Sequence, residues 1–225
     1  MSDKEIVNST ETPILKDVVK GAFGSSTSAG DTSGFGGLIT TIQAAPSAQR
    51  PYGSYFDAIA DALEKALPSQ KVTFEQAIER VVVQVDQLTF MVRKEHLKAV
   101  AQVLRDEPTL RFEMCMGVAG SHWPKEKDRE LHAIYPFVSI TNNRRVLLEV
   151  VTPENNPHIP SITEIYPSNN WHERETYDFF GINFVGHPDL RRILNADEMD
   201  YFPLRKEYTL EDPQRTDKDD EMFGR

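Results

Sequence analysis

Two alternating apolar runs around an Asn-Asn pair constrain this chain more than any other feature in it. Leu131 to Ile140 and Val146 to Val151 each read as a β-strand, and Asn142-Asn143 between them is a hairpin signal. A lone hairpin cannot bury its apolar face, so further strands are needed. Val81, Val83 and Val85 alternate as one, and Leu88 to Val92 reads as its neighbour after a tight turn. Another is expected from Leu110 to Met116, with Leu110, Phe112, Met114 and Met116 on one face and Arg111, Glu113 and Cys115 on the other. Helical spacing appears twice. Phe56, Ile59, Ala60, Leu63 and Leu67 follow Ser54, a candidate cap with Asp57 three residues on, and stop at Pro68. Leu97, Val100, Ala101 and Leu104 form the second set, ending before Pro108. The expected fold is α+β, a two-layer sandwich of a mostly antiparallel sheet with helices on one face.

Around this core, residues 51–168, lie two stretches of different character. Residues 1–50 contain GAFGSSTSAGDTSGFGGL and read as a flexible arm, with little to bury. Gly34, Gly36 and Gly37 form only part of a dinucleotide turn, because the third glycine position holds Ile39 and no strand precedes it. Residues 169–225 read as a signature helix and an extended tail that is ordered only by lying on something else. The net charge of -10 argues against nucleic acid. No apolar run is long enough to span a membrane, and the N-terminus lacks the basic start and apolar stretch of a secretory signal. The single Cys115 excludes an internal disulfide and cannot hold an iron–sulfur cluster, which takes about four protein ligands.

Chemistry concentrates in Trp171 to Leu194, WHERETYDFFGINFVGHPDLRRIL. His172-Glu173 begins a zinc-helix motif, but the second ligand position is Thr176, and His158, His172 and His187 are widely separated. Glu173, Glu175 and Asp178 could supply an acid and a base, yet nothing in the sequence builds a pocket around them. Local physics predicts a helix with Asn170 as N-cap, Glu173 completing a capping box, an Arg174–Asp178 pair, and Gly181 as the left-handed terminator. Trp171, Tyr177, Phe179 and Phe180 point to several sides of such a helix, which favours a covered position. His187 in Gly186-His187-Pro188 can bond backbone carbonyls. Arg191, Arg192, Arg205 and Lys206 are either docking residues or ordinary solvated charges.

The spaced set Glu173, Arg174, Glu175, Asp178, Phe179, Phe180, then His187, Arg191, Ile193 and Leu194, then PLRKEY from Pro203, resembles the thirty-kilodalton subunit family of respiratory complex I, the NADH:quinone oxidoreductase. The likeness runs from about Leu67 to Tyr208 and includes Leu88 to Leu104 and Pro160-Ser161-Ile162-Thr163. The glycine-rich arm resembles actinobacterial forms, which implies menaquinone. Ser121-His122-Trp123-Pro124 and Asp200-Tyr201-Phe202 depart from the family pattern. The resemblance implies a subunit with no flavin, cluster or metal of its own. It would sit on the cytoplasmic side of the plasma membrane and reach the membrane only through its complex. FMN, iron–sulfur clusters and quinone are then expected in partner subunits. The implied partners are the forty-nine-kilodalton-type subunit, which this chain would hold near the quinone site, the terminal-cluster subunit and neighbouring cluster-bearing subunits. Arg174, Arg191, Arg205 and Lys206 are expected to meet partner carboxylates, and Glu173, Glu175, Asp178, Phe179, Phe180, His187 and Arg192 are counted with them at the partner interface. The alternatives are the homologous subunit of a membrane-bound hydrogenase-type complex and a freestanding hydrolase using Glu173 and Asp178.

Overall fold

A computed structural model describes residues 14–21 and 37–208. Its centre is a mixed sheet built on the expected hairpin. Strands β7 (Leu131–Ser139) and β8 (Arg144–Thr152) pair antiparallel, placing Ala133, Tyr135 and Phe137 opposite Val150, Leu148 and Val146. Asn143 takes φ 50° in the turn, and the Asn142 side chain donates to Leu110 O at 3.1 Å. Outside β8 lie β4 (Gln87–Val92), parallel to it, and β3 (Ile78–Gln84), antiparallel to β4. On the other side, β7 pairs with the two-residue β5 (Met114–Cys115) and with β6 (Ala119–His122).

One face of this sheet is closed by α1 (Phe56–Ala66) and α3 (Leu97–Asp106), whose expected apolar residues join the same core as Phe90, Tyr135 and Leu148. Each fully buried Leu, Ile or Phe contributes about 2 kcal/mol, so this periodic layer dominates the stability. The short α2 (Phe74–Ala77) carries a capping box, with Thr73 Oγ1 accepting from Gln76 N and Gln76 Oε1 accepting from Thr73 N.

Several local expectations need correction. Ser54 has φ 52° and does not cap α1; the Asp57 carboxylate instead accepts from Tyr52 N at 3.0 Å and Gly53 N at 2.9 Å. Val85 is not in β3. It forms a two-residue hairpin tip with Asp86, both at positive φ, and is 93% exposed. The Leu110–Met116 alternation breaks because Arg111 takes φ 44°. Leu110 and Phe112 bond back to the end of α3 and are buried, whereas Met114 and Met116 face outward and Cys115 faces the core.

The arm also contains structure. β1 (Ile14–Lys20) and β2 (Ile39–Ala44) pair antiparallel, as the β-branched Val18, Val19, Ile39, Thr40, Thr41 and Ile42 favour. Gly34 and Gly36 lie outside the described residues, as does the tail beyond Tyr208. The chain also continues through residues 168–169 without a break. β9 (His158–Pro160) pairs parallel with β10 (Asn183–Val185), bracketing α4 (Asn169–Phe180), and α4 packs on β6.

Candidate docking site

The local start of α4 differs from expectation. Ser168, not Asn170, occupies the cap position, and its hydroxyl donates to Cys115 O at 3.2 Å. The Glu173 side chain points into the core, where Oε1 accepts from Ile162 N at 2.9 Å and Oε2 has no hydrogen-bond partner. Burial pushes the Glu173 carboxyl up to about 7, against the Ser161 hydroxyl, the Ile162 N–H and Lys98, which favour ionisation. The helix ends as the sequence predicts. Gly181 takes φ 75° and donates to Tyr177 O at 2.8 Å. A Cβ at Gly181 would lie 2.4 Å from the Phe202 ring, and one at Gly120 would lie 2.3 Å from Phe180, so both glycines permit close packing.

After β10 the chain returns along α4 as a strap, residues 186–208. Three charged side chains of the signature shape it. Asp178 Oδ2 accepts from the backbone N–H groups of Ile193 (3.1 Å), Leu194 (2.8 Å) and Asn195 (2.9 Å). Its Oδ1 accepts from Arg192 Nη1 at 2.8 Å. Burial opposes ionisation of Asp178, but the Asn195 and Leu194 amides, the Arg192 guanidinium and the Ile193 amide outweigh it. They hold the carboxyl well below the usual range. Arg192 also donates to Met199 O and Tyr201 O, at 2.6 and 3.0 Å. Arg174 donates not to Asp178 but to Arg191 O at 3.2 Å and Arg192 O at 3.1 Å, with its guanidinium 5.0 Å from the Trp171 ring centre.

The strap is fastened at both ends. His187 Nε2–H donates to Asn170 O at 3.0 Å while Nδ1 accepts from Asp189 N at 3.0 Å, which fixes the tautomer of the neutral ring. At the far end, Arg205 donates to Phe180 O at 2.8 Å and to Glu154 Oε1 at 2.9 Å. Phe202 lies under the guanidinium groups of Arg192 and Arg205, 5.2 and 4.9 Å from its ring centre. Lys206 N donates to His122 Nδ1 at 2.9 Å.

Glu173, Arg174, Asp178, Arg192 and Arg205 all make hydrogen bonds within the chain, and Arg174 and Arg205 are mostly buried. Phe179 and Phe180 are half-buried, and His187 is used locally. Glu175, Arg191 and Lys206 remain exposed, with Arg191 close to Asp189 at 3.0 Å. The outward surface is instead rich in large apolar side chains: Trp171, 61% exposed, Leu194, 66%, and also Val185, Leu204 and Tyr208. In the sequence His122 and Phe202 stand out only as departures from the family pattern, and Glu154 gives no signal.

This geometry disfavours hydrolysis. Glu173 and Asp178 are each 0% exposed, so substrate cannot reach them. Among the described residues, ligand atoms of His122, Glu154 and Glu207 lie within 4.8 Å of one another, close enough for a shared cation. His122 Nδ1 already accepts from Lys206 N, and Glu154 already pairs with Arg205, so the group reads as an ion-pair knot that ties down the strap.

Residues 90–214 match the family described as the 30 Kd subunit of respiratory-chain NADH dehydrogenase. The chain is 57% identical over 194 residues to the C subunit of NADH-quinone oxidoreductase from Mycobacterium tuberculosis (strain H37Rv), covering 86% of this chain and 82% of that protein. It is 56% identical, over the same shares, to the protein of that name from Mycobacterium avium (strain 104). Among solved structures, a chain of the membrane-bound sulfane sulfur reductase, an archaeal respiratory membrane complex, shares the fold. The TM-score is 0.55 at 21% identity, over 68% of this chain and 85% of that one. On the family match and the mycobacterial identities, this chain belongs to the thirty-kilodalton subunit family of respiratory-chain NADH dehydrogenase.

Proposed function

We propose that this chain is a cofactor-free peripheral-arm subunit of proton-pumping NADH:quinone oxidoreductase that holds the forty-nine-kilodalton-type subunit beside the quinone site. The observation that carries this reading is the inversion around α4. Arg174, Asp178 and Arg192 are bonded inside the chain, while Trp171, Val185, Leu194, Leu204 and Tyr208 project outward. Exposed large apolar side chains, five of which fall between Trp171 and Tyr208, favour burial against another protein. The strap presents Leu194, Leu204 and Tyr208 on a backbone held by Asp178 and Arg192, which lowers the ordering cost of docking.

The chemistry of the chain argues against an iron–sulfur cluster of its own. Its only cysteine, Cys115, is buried, and burial raises its thiol to about 11, far from the thiolate a cluster requires. FMN, the iron–sulfur clusters and menaquinone then belong to partner subunits, among them the terminal-cluster subunit. No helix among the described residues is long and apolar enough to cross a membrane. In this reading the chain meets the cytoplasmic side of the membrane only through its complex. The fold is shared with a sulfane sulfur reductase complex and does not by itself select the reaction. The mycobacterial identities favour the NADH-linked one.

Affinity purification through a tag on this chain, with partners identified by mass, tests the proposal. Recovery of the forty-nine-kilodalton-type and cluster-bearing subunits is expected. Recovery of a stable monomer, or of a nickel-containing large subunit, would overturn it.

A further inference from the structure

On the sheet face opposite α1 and α3 lies a second buried charge cluster. His132 on β7 is 0% exposed. Its Nδ1 lies 2.5 Å from Glu149 Oε1 on β8, and its Nε2 lies 3.3 Å from Glu126 Oε2 in the loop after β6. Glu126 Oε1 is in turn 3.0 Å from Lys16 Nζ on β1. The Lys16 ammonium also sits 4.7 Å from the ring centre of Trp123, whose indole N–H donates to Ser121 Oγ at 3.0 Å. From β3, Arg80 contributes positive charge near Glu149 while donating to Met91 Sδ. The sequence from β1 inward is therefore cation, anion, imidazole, anion.

We propose that His132 is a proton-controlled latch that fastens the N-terminal β1–β2 ribbon to the sheet. An imidazolium offers an N–H to each carboxylate, whereas a neutral ring has one N–H for two. The shorter contact is to Glu149, so a neutral His132 turns a lone pair toward Glu126 Oε2. Glu126 is then a partly buried anion facing a repulsive atom, and it relaxes by swinging toward water with Lys16. A two-stranded ribbon is marginal alone, so it loosens once this anchor is lost.

The electrostatics agree in sign. Burial lowers the His132 pKa, but Glu126 and Glu149 outweigh it and raise the ring above its ordinary value, Lys16 opposing weakly. Burial disfavours the Glu126 anion, yet His132 and Lys16 bring its carboxyl down to about 2. The imidazolium form is thus the docked form, and docking weakens as pH rises through the His132 titration.

Hydrogen exchange of the full-length chain, corrected for the intrinsic pH dependence and referenced to Leu148 in β8, tests this. Between about pH 6 and about pH 9.5, protection of the amides of residues 14–20 and 39–44 should fall about tenfold or more, tracking the His132 ring signal in nitrogen NMR. Lys16→Met, which leaves the sheet intact, should give low ribbon protection at every pH. His132→Gln should do the same. If His132→Gln fails to fold, Lys16→Met decides the matter. Ribbon protection that stays flat with pH overturns the proposal, whether or not His132 titrates, as does a Lys16→Met chain with parental, pH-dependent protection.

Discussion

Glu173 and Asp178 lie five residues apart in sequence, both fully buried; burial disfavours ionisation of each, and their hydrogen-bond partners decide the opposite outcomes. Glu173 receives one backbone N–H and is pushed up to about 7, whereas Asp178 receives three and a guanidinium and is held well down. The signs follow directly. A carboxyl raised on folding supports the native state fully below its unfolded pKa and loses that contribution as pH rises through its folded value. Glu173→Gln cannot ionise, so it should gain stability over the parent between about pH 5 and about pH 8, by up to about 3 kcal/mol. Urea unfolding of both chains at the two pH values checks this; a constant difference would refute the assignment. Asp178 is the reverse, stabilising above its unfolded pKa and losing that effect only in acid. Asp178→Asn should cost about 3 kcal/mol or more at neutral pH, because an amide cannot serve Arg192 and three backbone N–H groups together. Exchange protection at Ile193, Leu194 and Asn195 should collapse in that variant.

Among elements, the hairpins show what a sequence does and does not disclose. β7 and β8 were legible because alternation and an Asn-Asn turn agree, and α1 and α3 because a 3.6 period meets a proline stop. Val85 extended the alternation of its strand by one residue too many, since its apolar side chain sits at a positive-φ tip that no period reveals. Val85→Asn should therefore stabilise the chain by about 1 kcal/mol, as a raised thermal midpoint, because Asn tolerates that conformation and little burial is lost. Arg111 hid the break in the next strand for the same reason. The parallel β4–β8 pairing was also invisible, because it joins segments separated by α3, β5, β6 and β7. At the end of α4, Gly181→Ala should destabilise by about 1 kcal/mol or more through its φ of 75°, and should displace Phe202. Loss of protection at Leu204 N, which donates to Phe179 O, would report that displacement.

Across the whole molecule, the charged residues of the signature segment turn inward more than the sequence suggests, and several of its apolar residues face out. Charged residues in a mixed segment read as outward because charge is costly to bury unpaired. Here Arg174, Asp178 and Arg192 find backbone groups of a strap from later in the chain, Glu173 finds Ile162 N, and Arg205 finds Phe180 O and Glu154, and spacing alone cannot show that. The most direct test of this account replaces both Leu194 and Leu204 by Asp and measures two quantities. These are the amount of assembled membrane complex on native gels and the thermal midpoint of the isolated chain. The account predicts a fall in assembled complex of about tenfold or more with little change in midpoint, since both side chains are exposed in the free chain. Normal assembly in the double variant would contradict it.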